Sequence, residues 1–81
     1  MAHFAQIIDG RVSQVIVVAN SDCDNLPFPE SEPVGQAYIA SLGLPGQWLQ
    51  TSYNSNFRGV YAGINFVYDN ALDEFIAAPV E

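Results

Sequence analysis

The chain has 81 residues, of which 49% are hydrophobic and 14% are charged, and nine carboxylates against two cations give it a formal net charge of -7. A composition this apolar excludes intrinsic disorder, which requires low hydrophobicity together with high charge density. The negative charge excludes direct binding to nucleic acid or to an anionic membrane surface, because both depend on clustered Lys and Arg.

The first two predicted elements are strands that form a β-hairpin. Residues 3–8 and 12–19 are rich in β-branched and aromatic residues, and the Asp9-Gly10 dipeptide between them tolerates the positive φ angles of a tight turn. The second strand ends in four consecutive apolar residues, 15–18, instead of alternating. We therefore expect both of its faces to be covered, as in a central strand or an interface strand.

A surface loop and then a helix follow the hairpin. Residues 20–29 are turn formers and helix breakers, and the helix is predicted to start with Ser31 as its N-cap and to end at Gly43. Spacings of three and four place one set of helix residues on a common face, which we expect to lie on the sheet: Val34, Ala37, Tyr38, Ser41 and Leu42. Ile39 lies off this face, so the sequence leaves open whether it is exposed or buried.

The rest of the chain is predicted to be rich in strands. Residues 47–52 form a third strand, and residues 64–68 and 74–78 form a second hairpin. Between them, the aromatic loop (residues 53–63) is expected to be ordered by its aromatic side chains. The predicted order is β-β-α-β-β-β, a single α+β domain over residues 1–81 in which antiparallel hairpins pack with one helix.

No group of residues has the spacing of a catalytic, metal or cofactor site. Cys23 is the only cysteine and His3 is the only histidine, so neither a thiolate metal site nor a His-based acid–base pair has its usual members. We expect Cys23 to be a buried or idle thiol. The carboxylates of the 20–29 loop do not follow the EF-hand pattern, and those of the second hairpin turn are expected to be turn residues. The sequence therefore predicts no enzymatic activity, no metal and no cofactor.

The sequence also lacks the features of a secreted or membrane protein. Its first residues have no basic region followed by an apolar one, and its longest apolar run, residues 15–19, is far shorter than the roughly 20 residues that span a bilayer. The protein is therefore expected to be made in the cytosol, to stay soluble and to make no membrane contact.

The feature that most suggests a function is the number of aromatic residues in the last part of the chain. Burial in the core is the favoured interpretation for three of them in predicted strands: Trp48, Phe66 and Phe75. The aromatic loop contains Tyr53, Phe57 and Tyr61 with Arg58 among them, and this mixture is typical of interface hot spots. For these four residues burial is an equally good interpretation, and we predict that they contact another protein.

Five segments of the chain carry a family resemblance. They are MAHFAQ at 1–6, VIVVAN at 15–20, QTSYNSNFRGVYAG at 50–63, FVYD at 66–69 and LDEFIA at 72–77. Together they resemble a family of small proteins encoded by cyanophages and other tailed phages of aquatic bacteria, and residues 51–63 are the most specific part. Members of that family are similar to virion structural proteins, so the resemblance implies a structural role in the phage particle.

The role that fits this resemblance best is that of a capsid decoration or cement protein located in the virion. Its partner would be the major capsid protein or another virion protein, and the decoration protein would itself be a homodimer or homotrimer. The four loop residues would contact the capsid or a second copy, and the edges of the hairpin strands could add to a neighbouring sheet. Two alternatives stay open, which are a tail, baseplate or fibre-attachment component and a protein outside the virion that binds a host protein.

Overall fold

An antiparallel sheet of five strands and one α-helix form the fold. The computed structural model describes residues 1–77, with these elements: β1 (Ala2–Ile8), β2 (Arg11–Val18), a 3-10 helix (Asn20–Cys23), α1 (Ser31–Ser41), β3 (Gln47–Thr51), β4 (Val67–Asp69) and β5 (Glu74–Ile76). The strand order is β3-β1-β2-β4-β5. The predicted α+β class and the element order are confirmed. Residue 78 of the predicted last strand lies outside the described residues.

The β1–β2 hairpin turns at the predicted dipeptide. Asp9 and Gly10 have φ angles of 52° and 78°, the left-handed conformation that a two-residue turn between antiparallel strands requires. A register shift follows Gln6, where β2 contains one extra residue. The side chain of Gln6 occupies this bulge, and its Oε1 accepts hydrogen bonds from Ser13 Oγ at 2.6 Å and from Gln14 Nε2 at 3.0 Å.

The helix α1 packs on the sheet with a different face from the one predicted. Its buried residues are Ser31, Gly35 and Ile39, whereas Leu42 of the predicted face is 55% exposed and follows the helix. A Cβ atom at position 35 would lie 2.2 Å from Phe4 Cζ, so only glycine allows the helix to come this close to β1. The prediction was wrong because it required large apolar residues on the contact face, and here small residues bring the backbone onto an aromatic ring.

The sheet has a core cluster on each face. The cluster under α1 contains Ala2, Phe4, Val18, Cys23, Ile39 and Trp48. The cluster on the opposite face contains Ala5, Ile7, Val12, Leu49, Ala62 and Phe75. The predicted burial of Trp48 and Phe75 is confirmed, Phe66 is half-buried, and Cys23 is buried as expected. The aromatic loop contributes Ala62 to the second cluster, so part of the loop packs on this face.

The strand β2 is central in the strand order but is only partly covered. It pairs with β1 along its length, while its pairing with β4 is limited to Arg11 opposite Val67. Val15 and Ile16 are half-buried, and Val17 is 52% exposed. Within one chain the expected covering of residues 15–18 is therefore met at Val18 and not at Val17, and whether a partner covers Val17, as in an interface strand, stays a prediction.

Candidate protein-interaction surface

Arg58 lies in the aromatic loop, and other parts of the chain hold its guanidinium group. Nη1 and Nη2 donate to the two carboxylate oxygens of Glu32 in α1, the second at 3.1 Å. Nε donates to Oδ1 of Asp73 at 2.8 Å, and Nη1 also donates to the backbone carbonyl of Gln50 at 3.1 Å. The Arg58 side chain is only 10% exposed. Its hydrogen bonds are therefore used inside the fold, where they join the loop to the helix and the sheet.

The ion pair between Arg58 and Glu32 also closes the outer edge of β3. The inner edge of this strand pairs with β1, so its outer backbone groups need other partners. The N–H of Gln50 donates to Glu32 Oε2 at 2.8 Å, and its carbonyl accepts from Arg58. Two residues earlier, the carbonyl of Trp48 accepts from Gln36 Nε2 at 2.6 Å. Side chains thus take the positions that a neighbouring strand would occupy.

The backbone of the aromatic loop closes the outer edge of β5. The N–H of Phe75 donates to the carbonyl of Arg58 at 2.9 Å, and Gly59 forms a β-bridge with Phe75. Since the Arg58 side chain reaches Gln50 on β3, one residue links the two terminal strands of the sheet. Both terminal strands also contribute to the second core cluster, Leu49 from β3 and Phe75 from β5.

Phe57 anchors the aromatic loop to the segment before the helix. Its ring stacks on Phe28 with centroids 3.8 Å apart and planes 3° from parallel. The guanidinium carbon of Arg58 lies 5.2 Å from the centre of the same Phe28 ring. Phe57 is half-buried, so one side of it is used in the fold and the other side remains exposed.

Tyr53 and Tyr61 form a partly exposed cluster of rings together with His3. The centroid distances are 5.5 Å between His3 and Tyr53, 5.6 Å between His3 and Tyr61, and 5.2 Å between the two tyrosines. Tyr53 is 67% exposed, while Tyr61 and His3 are half-buried. Burial and the positive charge of the N-terminus lower the pKa of His3, which favours its uncharged form in this ring cluster.

A shallow cavity of about 380 Å³ opens beside the ring cluster. Its lining residues are Met1, His3, Gln50, Thr51, Ser52, Tyr53, Asn54, Asn56 and Phe57. None of these lining residues carries a carboxylate, although the chain as a whole has nine. The cavity therefore presents no side-chain carboxylate to a partner group that enters it.

Hydroxyl groups fix the conformation of the aromatic loop. Three backbone N–H groups donate to hydroxyl oxygens of residues earlier in the chain: Asn56 to Ser52 Oγ at 3.0 Å, Tyr61 to Ser55 Oγ at 3.1 Å and Ala62 to Thr51 Oγ1 at 3.0 Å. Together with the contacts of Phe57 and Arg58, they hold Tyr53 on an ordered support. Of the four predicted interface residues, Tyr53 is the one that the structure leaves largely exposed, and Tyr61 lies beside it. No local sequence pattern pointed to the contribution of His3.

The acidic turn of the second hairpin is a structural element. Asp69 Oδ1 accepts from the backbone N–H groups of Ala71 and Leu72 at 2.9 and 3.1 Å, which is the turn chemistry expected from the sequence. Asp73 accepts from the Tyr68 hydroxyl and from Arg58, and these hydrogen bonds lower the pKa of its carboxyl group. Burial and the Asp73 carboxylate raise the pKa of Tyr68 to about 12.

The residues weighed as reactive groups lie apart from one another. Cys23 packs with Phe4 under the helix, where burial and the neighbouring Asp22 and Asp24 raise the pKa of its thiol, whereas His3 lies in the ring cluster. Among residues 1–77, no three His, Cys, Asp or Glu side chains are close enough to hold a metal ion. No helix in this part of the chain is long and apolar enough to cross a membrane.

Comparisons of the chain with protein-family models, with curated protein sequences and with solved structures gave no match.

Proposed function

We propose that this chain is a phage virion structural protein, a capsid decoration protein that binds the shell of the major capsid protein. The observation that carries the proposal is Tyr53, a large ring that is 67% exposed on a loop held by Arg58, Phe57 and three hydroxyl groups. An ordered support presents the ring at little cost in conformational entropy, which is the arrangement of an interface anchor.

The sequence resemblance supports the same role, because its most specific part, residues 51–63, is the segment that forms this surface. Binding of a small protein to the assembled shell alone would stabilise that shell by mass action. Tyr53 and Tyr61 would contact the capsid, with a capsid side chain entering the adjacent cavity. In this role Arg58 and Phe57 position the contact residues, and the protein acts by binding and not by catalysis.

The test is the retention of variants on purified virions. We expect Tyr53→Ala to reduce the copies retained per particle by about tenfold, the loss typical of a central interface anchor. The matched control is Leu72→Ala, because Leu72 is 62% exposed on the far hairpin turn and should tolerate truncation. Both variants should keep the far-UV circular dichroism of the unsubstituted protein.

Copy number in virions, measured by quantitative mass spectrometry, decides between the proposal and its alternatives. Hundreds of copies per particle support a decoration protein. A dozen or fewer would instead indicate a tail, baseplate or fibre-attachment component. Absence from particles would indicate a protein outside the virion that binds a host protein. Equal retention of the Tyr53 and Leu72 variants would contradict the assignment of the contact surface.

A further inference from the structure

Residues 13–18 of β2 form a strand edge that has no strand paired with it on the side away from β1 within residues 1–77. Beyond the Arg11–Val67 pair, the only backbone hydrogen bonds on the β4 side of β2 are those of Gly10 and Val12 with residues 65–68. In an antiparallel strand every second residue turns its N–H and C=O away from its partner, so this free β2 edge presents unpaired backbone groups. The edges of β3 and β5 are closed by side chains and by the aromatic loop, as described above.

The free β2 edge also lacks the features that keep strand edges from pairing. Natural proteins protect such edges with charged side chains or proline, and the segment SQVIVV contains neither. Its bulge lies at Ser13, at one end of the segment, and leaves the rest regular. Val17 is 52% exposed on this strand. The edge is therefore suited to accept an added strand.

The charges at the two ends of β2 indicate which strand would fit. The start of β2 carries exposed Arg11, which forms no ion pair among the described residues, with Asp9 in the turn before it, whereas Asp22 and Asp24 make the other end acidic. A second β2 strand placed antiparallel about a two-fold axis near Ile16 brings the Arg11 end of each copy toward the Asp22 end of the other. A parallel arrangement would bring the two acidic ends together. The charges therefore favour the antiparallel orientation over the parallel one.

We propose that the protein forms a two-fold symmetric homodimer by antiparallel pairing of the free β2 edges of two copies. The pairing joins the two sheets into one continuous sheet and covers Val17 of each copy with side chains of the other. This inference does not depend on the virion role, because the dimer surface contains none of the residues proposed to contact the capsid.

The test is sedimentation velocity over a concentration series that extends to the millimolar range. We expect the unsubstituted protein to be dimeric at the upper concentrations. Val17→Lys places two like charges near the two-fold axis and should raise the dimer dissociation constant about tenfold, because the substitution acts twice in a symmetric dimer. The matched control is Leu42→Lys, which adds the same charge at a residue that is 55% exposed at the end of α1, and it should leave the dissociation constant unchanged.

A charge exchange tests the orientation of the two strands. Arg11→Asp alone and Asp22→Arg alone should each weaken the dimer, and the double variant should restore it, since the opposite charges again face each other. A monomer at every concentration, or a dimer insensitive to Val17→Lys, would overturn the proposal. Failure of the double variant to restore a dimer that both single variants weaken would overturn the antiparallel pairing.

Discussion

The outer edges of β3 and β2 differ in whether their backbone groups have hydrogen-bond partners. Both strands are free of carboxylates, and each has one side that pairs with β1. On β3, the outer backbone groups of Gln50 and Trp48 are bonded by Glu32, Arg58 and Gln36. On β2, no side chain of the described residues approaches the backbone of residues 14–18 in this way.

This difference shows that the strand sequence alone does not decide whether an edge can pair. The closure of β3 comes from α1 and from the aromatic loop, which supply one carboxylate, one amide and one guanidinium in the positions of a neighbouring strand. These three side chains are used only if the helix lies close to the sheet and the loop folds back over it. The open β2 edge is therefore available for pairing while the closed β3 edge is not.

The largest loss of folding stability is expected from removing the Arg58 side chain, which closes the outer edge of β3. Arg58→Ala leaves Glu32 without its cationic partner and the Gln50 carbonyl with one donor fewer, and we expect it to lower the free energy of unfolding by about 3 kcal/mol. Urea denaturation measures this change. The matched control is Arg11→Ala, which removes the other, exposed arginine and should change the free energy of unfolding by less than about 0.5 kcal/mol. Equal effects of the two substitutions would contradict the structural role of Arg58.

A smaller loss of folding stability is expected from a substitution that moves α1 away from the sheet. Gly35→Ala places a methyl group against the ring of Phe4, and the strain should cost about 2 kcal/mol net of the gain of about 1 kcal/mol in helix propensity. Because Gly35 lies between Glu32 and Gln36, the displaced helix should also weaken the closure of β3. Thermal and urea denaturation measure the stability change. A stabilised variant would show that the helix is not as close to Phe4 as described.

The smallest change in stability is expected from the pH dependence of the hairpin that carries Asp73, the second carboxylate bonded to Arg58. The pKa of Tyr68 is raised to about 12, so its neutral form contributes stability that is present below its ordinary pKa of about 10 and is lost as the pH rises through 12. The pKa of Asp73 is lowered, so its contribution is present above its ordinary pKa and is lost as the pH falls toward the lower folded value.

Ultraviolet titration of the tyrosines checks the link between these two residues. In the unsubstituted protein one phenol should ionise near pH 12, and Tyr68→Phe should remove that transition. Asp73→Asn should move it toward the ordinary tyrosine value, because the negative charge that opposes ionisation is gone. An unchanged titration in the Asp73→Asn variant would contradict the contact between the two side chains.

The sequence predicted the elements of the fold better than their contacts. The first hairpin followed from Asp9-Gly10, because few other dipeptides adopt two consecutive positive φ angles without strain. The helix face was predicted wrongly, because Gly35 and Ser31 bring the helix close through their small size and contribute nothing to an apolar pattern.

For the candidate surface, too, the sequence indicated the segment and not its long-range contacts. The aromatic loop was identified from its composition, but the bond between Arg58 and Glu32 joins residues 26 apart in the chain, and nothing in either local sequence indicates it. The same holds for His3, which comes next to Tyr53 only because β1 pairs with β3. Local chemistry thus predicts turns and loops, whereas the partners of long side chains depend on the assembled sheet.

Hydrogen exchange along β2 and β3, measured at low and at high protein concentration, tests the account most directly. The Gln50 amide should be protected at both concentrations, because Glu32 binds it within one chain. The outward-facing amides of residues 14–18 should exchange rapidly in dilute solution and become protected at high concentration, where two β2 edges pair. Protection of these β2 amides in the dilute monomer, or rapid exchange at Gln50, would contradict the distinction between an open and a closed edge.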